Sequence, residues 1–355
     1  MTFFDVLSLV GGIALFLYGM DVLGKSLEKA AGSQLKSILS KLTNSTIKGL
    51  LLGVAVTAVI QSSAATTVMV VGFVNSGLMQ LGQAVGVIMG ANIGTTVTAW
   101  LVVLFGISFD IDLAAVPLIA FAAPLLLLRS ERLRNLGNTL IGLALMLLAI
   151  HILRDAVTHF STLSSFENYI TLLRGHGHWS PLLFVLVACL VNVAGDLLLV
   201  ARLGMDAAAA MTAVLQSSSA TTALAIILCS TGVIPFKCAM ALILGDNVGT
   251  TLTANIAATM TNTDGKRAAL SHLLFNLVGV LWALPLLAVL ARGIASLVAA
   301  FGGVSPLLNG SPSQAVALAL FHTLFNVVNT LLLAGFIPQA AHALDRLIPG
   351  DRHAK

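Results

Sequence analysis

The stretch QSSAATT at Gln61–Thr67 decides the fold, because it returns as QSSSATT at Gln216–Thr222, 155 residues further along the chain. A second polar run follows each copy at the same distance, GANIGTT at Gly90–Thr96 and GDNVGTT at Gly245–Thr251. Between residues 58–99 and 213–254, 18 aligned positions are identical, and the matches include Gln, Ser, Thr and Asn. We therefore infer that the chain contains two copies of one structural unit.

The composition predicts an all-α membrane protein. Of the 355 residues, 58% are hydrophobic and only 9% are charged, and the mean hydropathy is +1.00. Soluble domains are about one quarter charged, and several apolar runs here reach the roughly 20 residues that a membrane-spanning helix needs. Lys and Arg gather in the loops, which fits a surface of anionic lipid, so the net charge of +4 does not predict nucleic-acid binding.

The polar runs need a special reason to lie inside apolar sequence. A polar group without a partner in hydrocarbon costs several kcal/mol, so such runs should face protein, water or a ligand. Their glycines would let a helix open, which frees carbonyl groups for a cation and N–H groups for an anion. Two interrupted segments at matching places in two repeats indicate the central site of a transporter.

The repeat sets the expected domain organisation. Residues 1–135 form the first repeat, with a re-entrant hairpin at about 48–80 and a broken helix at about 83–105. Residues 136–292 form the second, with a hairpin at about 181–233 and a broken helix at about 236–258. Residues 293–355 form a C-terminal helix and a basic tail. The segment 181–204 is longer than its counterpart in the first repeat, and we expect an elongated or bent first arm there.

The distribution of charge predicts that the repeats are inverted. If the basic loops at 25–48 and 129–134 face the cytoplasm, then Lys266 and Arg267 also face it when both hairpins are re-entrant. The second repeat then begins on the opposite side of the membrane from the first. The C-terminus is predicted to be cytoplasmic, in a multi-pass protein of the cytoplasmic membrane.

These motifs resemble the type II sodium-dependent phosphate cotransporter family. The resemblance rests on the doubled QSS(S/A)ATT and GxN(I/V)GTT runs, on LFLYGM at Leu15–Met20, and on HxxFN at His272–Asn276 and His322–Asn326. It implies inward movement of inorganic phosphate coupled to sodium, by a transport domain that shifts against a scaffold, as in an elevator. Similar bacterial proteins often carry a soluble helical regulatory domain after the membrane part; since the sequence ends at Lys355, none is expected here.

The resemblance and the chemistry together give two sets of candidate ligands. Phosphate offers acceptor oxygens, so hydroxyl, amide and N–H donors of the hairpin tips should bind it; these are Gln61, Ser62, Ser63, Gln216, Ser217, Ser218 and Ser219. Sodium prefers hard oxygen ligands, and the candidates are Thr66, Thr67, Asn92, Thr95, Thr96, Thr221, Thr222, Asp246, Asn247, Thr250 and Thr251. Sodium is the expected co-transported ion, with no other metal.

Some residues keep two interpretations. Asp246 replaces Ala91 of the first copy and could bind sodium or a proton at membrane depth, or lie at a watery edge. His272 with Asn276, and His322 with Asn326, lie on one helix face at four-residue spacing, which interhelical hydrogen bonds explain as well as ligand contact does. Asp21 and Asp196 are expected at helix ends or at the membrane interface.

Other functions stay open as alternatives. The same donors could serve sulfate, arsenate or a dicarboxylate, and a membrane receptor is a further alternative. An enzyme is not expected, because no nucleophile with a nearby base is visible in the sequence. A homodimer is a final expectation.

Overall fold

The computed structural model describes residues 3–31, 45–106, 111–161, 171, 180–189 and 218–349. Within these residues the protein is helical and contains no strand. The helices are α1 (Phe3–Ala31), α2 (Thr46–Ile60), α3 (Ser63–Asn75), α4 (Leu81–Gly106), α5 (Ile111–Leu126), α6 (Glu131–Ser161), α7 (Ser180–Cys189), α8 (Ser218–Ser230), α9 (Phe236–Gly249), α10 (Thr251–Ala258), α11 (Thr263–Ala283), α12 (Leu287–Ala300), α13 (Gln314–Ala334) and α14 (Ile337–Leu347).

Among the described helices, four are long and apolar enough to cross a membrane: α1, α4, α6 and α13. A fifth span is obtained if α11 and α12, which meet at an angle of 81°, are taken as one bent segment. Large apolar side chains such as Phe4, Phe121 and Leu281 are exposed, as expected of a surface that lipid covers. The predicted all-helical class is confirmed, and the apolar helices agree with a membrane protein.

The local structure repeats together with the sequence. Helices α3 and α8 end 155 residues apart, and the starts of α4 and α9 have the same separation. Gly77 and Gly232, which follow α3 and α8, both adopt left-handed backbone angles, with φ of 73° and 77°. Only glycine takes these angles without strain, so the same turn ends both helices.

The predicted break in the first repeat is wrong, because α4 runs through Gly90–Thr96 without interruption. The glycines instead let α2 approach α4: a Cβ on Gly90 would collide with the carbonyl oxygen of Leu50, and one on Gly94 would lie 2.7 Å from that of Val54. Small residues permit such close backbone contact in membranes. In the second repeat the helix does divide, at Thr250 between α9 and α10, although φ −64° and ψ −16° there are close to helical values.

The first hairpin has the predicted helix–turn–helix form. Helix α2 ends at Ile60, and Gln61 turns the chain with φ of 60°, a left-handed conformation for a residue other than glycine. Ser62 then caps α3 by accepting a hydrogen bond from the backbone N–H of Ala65 at 3.1 Å. Of the second hairpin the structure describes α7 and α8; residues 190–217, which include Gln216, Ser217 and Asp196, lie outside the described residues.

The first helices of the two repeats pack against each other. Gly12 of α1 lies against Leu153 of α6, and Gly19 lies against Gly142, so the chain directions are antiparallel. A Cβ on Gly19 would approach the carbonyl oxygen of Gly142 to 2.9 Å. Helix α5 packs on α6. Helices α1, α5 and α6 thus form one packed group.

The C-terminal part differs from the prediction of a single helix followed by a basic tail. After α13, residues Ile337–Leu347 form a further helix, α14, which packs on α11 and α4. Arg267 of α11 holds it in place: its guanidinium contacts Asp345 at 3.0 Å, and its Nε donates to the carbonyl of Ile348 at 3.0 Å.

Candidate functional site

The two hairpin tips line one cleft of about 180 Å³. Ile60–Ala65 of the first tip form one part of its wall, and Ser218 and Ser219 of the second tip form another. The remaining wall comes from α1, between Leu17 and Glu28. Polar residues 155 positions apart therefore meet at one place, and four of the five described phosphate candidates from the tips, namely Gln61, Ser63, Ser218 and Ser219, are buried there.

Thr98 joins the two tips through hydrogen bonds. Its hydroxyl donates to Oε1 of Gln61 at 2.9 Å and accepts from the hydroxyl of Ser219 at 3.3 Å. Gln61 also donates from Nε2 to the carbonyl oxygen of Ala58. Sequence analysis missed Thr98, although one signal was present: Thr98 and Thr253 occupy matching positions in the two copies.

The amino-terminal end of α3 lies at the cleft, and so do Ser218 and Ser219, the first residues of α8 that the structure describes. The first N–H groups of a helix have no partner within the helix, and the helix dipole places partial positive charge there. The end of α3, with the hydroxyls of Ser62, Ser63, Ser218 and Ser219, gives the cleft several hydrogen-bond donors. This arrangement suits an anion with several acceptor oxygens.

Thr66 serves the structure of the first tip. Its hydroxyl donates to the carbonyl oxygen of Ser62 at 2.9 Å and accepts from Thr57 at 3.0 Å. Thr57 was also missed by sequence analysis. Thr221 occupies the position in the second copy that Thr66 occupies in the first, and it is half-buried.

The next threonine of each copy shows how the repeats differ. Thr222 donates to Oδ2 of Asp246 at 3.3 Å, and Asp246 is fully buried. In the first copy Thr67 takes the place of Thr222, and Ala91 takes the place of Asp246. The hydroxyl of Thr67 is buried and has no hydrogen-bond partner within the described part of the chain. Asp246 is therefore deep in the protein, and the interpretation that placed it at a watery edge is wrong.

The four threonines of the GTT runs donate to backbone carbonyl oxygens three or four residues earlier in the chain. Thr95 donates to Ala91 and Thr96 to Ile93; Thr250 donates to Asp246 and Thr251 to Val248. A hydroxyl that donates its hydrogen in this way keeps lone pairs. These oxygens could still coordinate a cation.

Two His–Asn pairs place unpartnered polar atoms between α4, α9, α11 and α13. Nε2 of His272 contacts Oδ1 of Asn92 at 3.3 Å. Asn276 and Asn326 each donate to the carbonyl oxygen of the histidine four residues earlier, which leaves both Oδ1 atoms without a partner among the described residues. The same holds for both ring nitrogens of His322 and for Nδ2 of Asn247. Buried polar atoms of this kind usually bind water or an ion.

The mouth of the cleft carries charged side chains of α1. Asp21, Lys25 and Glu28 line it, and Nζ of Lys25 donates to Oδ2 of Asp21 at 2.8 Å. Asp21 was expected at a helix end or at the membrane interface. The helix end is wrong, because α1 continues to Ala31 and brings this residue beside the tips; the interface stays a prediction. The contact between α1 and the first tip, some 40 positions further along the chain, is tertiary and has no signal in the sequence.

Four described helices that are long and apolar enough to cross a membrane, with a cleft lined by serine hydroxyls among them, indicate the class of helical membrane proteins. The profile of the Na+/Pi-cotransporter family matches residues 15–155 and 197–308. The chain belongs to this family. The family is one of transporters, which is consistent with a protein that is not an enzyme.

Relatives support the same assignment. YjbB of Escherichia coli K12, named as a candidate inorganic phosphate export protein, is 30% identical over 97% of this chain, and the chain spans 56% of the length of YjbB. YqeW of Bacillus subtilis 168 is 28% identical over 94% of both chains. The sodium-dependent phosphate transport protein 2A of Rattus norvegicus is 36% identical over 27% of this chain and 15% of its own length. No solved structure matches this chain.

Proposed function

We propose that the protein is a secondary transporter that couples sodium movement to the uptake of inorganic phosphate by alternating access. The observation that carries this proposal is the shared cleft, which the amino-terminal end of α3 and the two serines Ser218 and Ser219 line together. Phosphate would bind Gln61, Ser62, Ser63, Ser218 and Ser219, and Gln216 and Ser217 remain candidates from the sequence. Lys25 is the basic side chain that lines the cleft in the described structure, and bound sodium would supply further positive charge.

Sodium would bind oxygens next to the tips. Asp246 with Thr222 is the strongest candidate pair, because it combines a carboxylate with a hydroxyl in a buried place. Thr66, Thr67, Thr221, Asn92, Asn247 and the four GTT threonines remain candidates, and the free Oδ1 atoms of Asn276 and Asn326 join them. If each ligand improves binding of the other, the coupling is reciprocal and typically about 1–3 kcal/mol.

The proposed motion uses two inverted repeats. The antiparallel contact of α1 with α6 supports this, since the first helices of inverted repeats must run in opposite directions. Helices α1, α5 and α6 would belong to the scaffold, while the tips, α4 and α9 would move as a transport domain, as in an elevator. A cytoplasmic C-terminus and a homodimer remain part of the proposal.

Export is the second candidate direction, because YjbB is named for phosphate export. A carrier that alternates between two open states is reversible, and the gradients decide the direction of net transport. Sulfate, arsenate and dicarboxylates are the alternative substrates; their competition with labelled phosphate would rank them.

Vesicle transport tests the proposal. Vesicles with the purified protein should accumulate labelled phosphate above the external concentration when sodium is high outside, and should lose it when the sodium gradient is reversed. A potassium gradient of equal size should drive neither. Equal transport in sodium and potassium would refute the coupling, and efflux that ignores sodium would favour the export alternative.

Asp246→Asn tests the proposed sodium site. The amide oxygen can still accept from Thr222, so the change removes the charge with little change in packing, and the sodium concentration for half-maximal transport should rise about tenfold. Asp155→Asn is the matched control, because Asp155 is exposed on α6, with 66% of its side chain accessible. If both variants depend on sodium as the wild type does, Asp246 is not a sodium ligand.

A further inference from the structure

The charged mouth of the cleft has a role that the proposed function leaves unassigned. Asp21, Lys25 and Glu28 are spaced so that one face of α1 presents all three to the cleft. The side chains of Lys25 and Asp21 are 67% and 38% accessible, so their ion pair is open to water. Ion pairs of this kind contribute little to stability, because water screens them.

Lys25 is the one basic residue among those that line the cleft in the described structure. The tips offer neutral hydroxyls and N–H groups, which bind phosphate without balancing its charge. A lysine has a compact charge on a flexible stem, so its ammonium can change partner without movement of the backbone. Its present partner, Asp21, offers carboxylate oxygens much as phosphate would.

We propose that Lys25 is the anion-binding cation of the cleft and that Asp21 is its exchangeable counter-ion. This inference rests on the proposed function. An arriving phosphate oxygen replaces the Asp21 carboxylate as the acceptor for Nζ of Lys25, and Asp21 is left open to a sodium ion. The Lys25–Asp21 ion pair is weak because water solvates it, so replacing one acceptor by the other needs little free energy. The ion pair can form again when phosphate leaves.

The two partners should therefore have opposite effects when each is removed. Lys25→Gln should raise the KM for phosphate about tenfold at low salt, because the ammonium no longer attracts the anion. Asp21→Asn should lower the KM several-fold, because Lys25 loses its competing partner. Both effects should shrink at high salt. An ion pair that only stabilises α1 would give changes in the same direction for both variants.

Matched variants separate this exchange from general effects of charge. Lys29→Gln removes the same charge one turn later on α1, outside the cleft, and should leave KM unchanged. Glu28→Gln removes a negative charge from the same cleft without removing the partner of Lys25. It therefore measures the general electrostatic effect, and it should lower the KM for phosphate less than Asp21→Asn does. Lys25→Arg should restore most of the phosphate affinity.

The outcomes decide between failure of this inference and failure of the proposed function. If the wild type transports phosphate but Lys25→Gln matches Lys29→Gln, the inference is overturned and the function stands. If the wild type transports labelled sulfate and not phosphate, the function fails, and the same variants are compared with sulfate. Transport of neither anion, or KM changes of one sign in Lys25→Gln and Asp21→Asn, overturns the inference.

Discussion

Replacing Gln61 with glycine is expected to lower phosphate transport about 10- to 100-fold while leaving the thermal unfolding midpoint near that of the wild type. The amide of Gln61 accepts from Thr98 and donates to Ala58, and both contacts disappear. A buried donor that loses its acceptor costs about 1–3 kcal/mol. If this cost is borne by the substrate-bound state, it weakens transport by the expected 10- to 100-fold. Glycine, however, relieves the left-handed strain of about 1–2 kcal/mol at this position.

Two further variants make the test specific. Gln61→Ala loses the same contacts and keeps the strained backbone, so both transport and the unfolding midpoint should fall. Gln80→Ala changes an exposed glutamine after α3 and should alter neither. If the Gln61→Gly variant transported phosphate at the wild-type rate, Gln61 would not be part of the phosphate site.

Gly90→Ala is expected to destabilise the protein by about 3 kcal/mol or more. The new methyl group would collide with the carbonyl oxygen of Leu50, which is backbone and cannot rotate away, so α2 and α4 must separate. The measurement is the thermal unfolding midpoint in detergent, together with the yield of folded protein. Since Gln61 follows directly on the last residue of α2, transport should fall as well.

Gly72→Ala is the matched control for this packing effect. Gly72 lies within α3, and no atom would come within 4 Å of a Cβ there. Alanine should therefore stabilise the helix by about 0.5–1 kcal/mol. Equal midpoints for Gly90→Ala and Gly72→Ala would show that the close approach of α2 and α4 does not limit stability.

The repeat made much of the fold predictable. An offset of 155 residues without gaps means that a backbone that suits one copy also suits the other. Helices α3 and α8 indeed end at matching residues and are followed by the same glycine turn. The polar residues of the tips were predictable as a cluster because burial in hydrocarbon forces them to find polar partners.

The role of the glycines was not predictable from local sequence. Gly90 could open a helix or admit a neighbouring one, and only the position of α2 decides between these. Thr57 is a single hydroxyl in an apolar stretch, so no motif marked it, and Thr98 was marked only by its match with Thr253 in the second copy. The charges of α1 needed the tertiary structure, because packing brings Lys25 beside residues far along the chain.

The hydroxyl of Thr98 links the two repeats. It is supplied by the first repeat, yet it bonds to Ser219 of the second as well as to Gln61 of its own. Separating the two repeats at this point would break both hydrogen bonds and expose buried atoms. If the protein works by the proposed alternating access, α3, α4 and α8 should therefore move together as one rigid unit, and access should change at the edge of that unit.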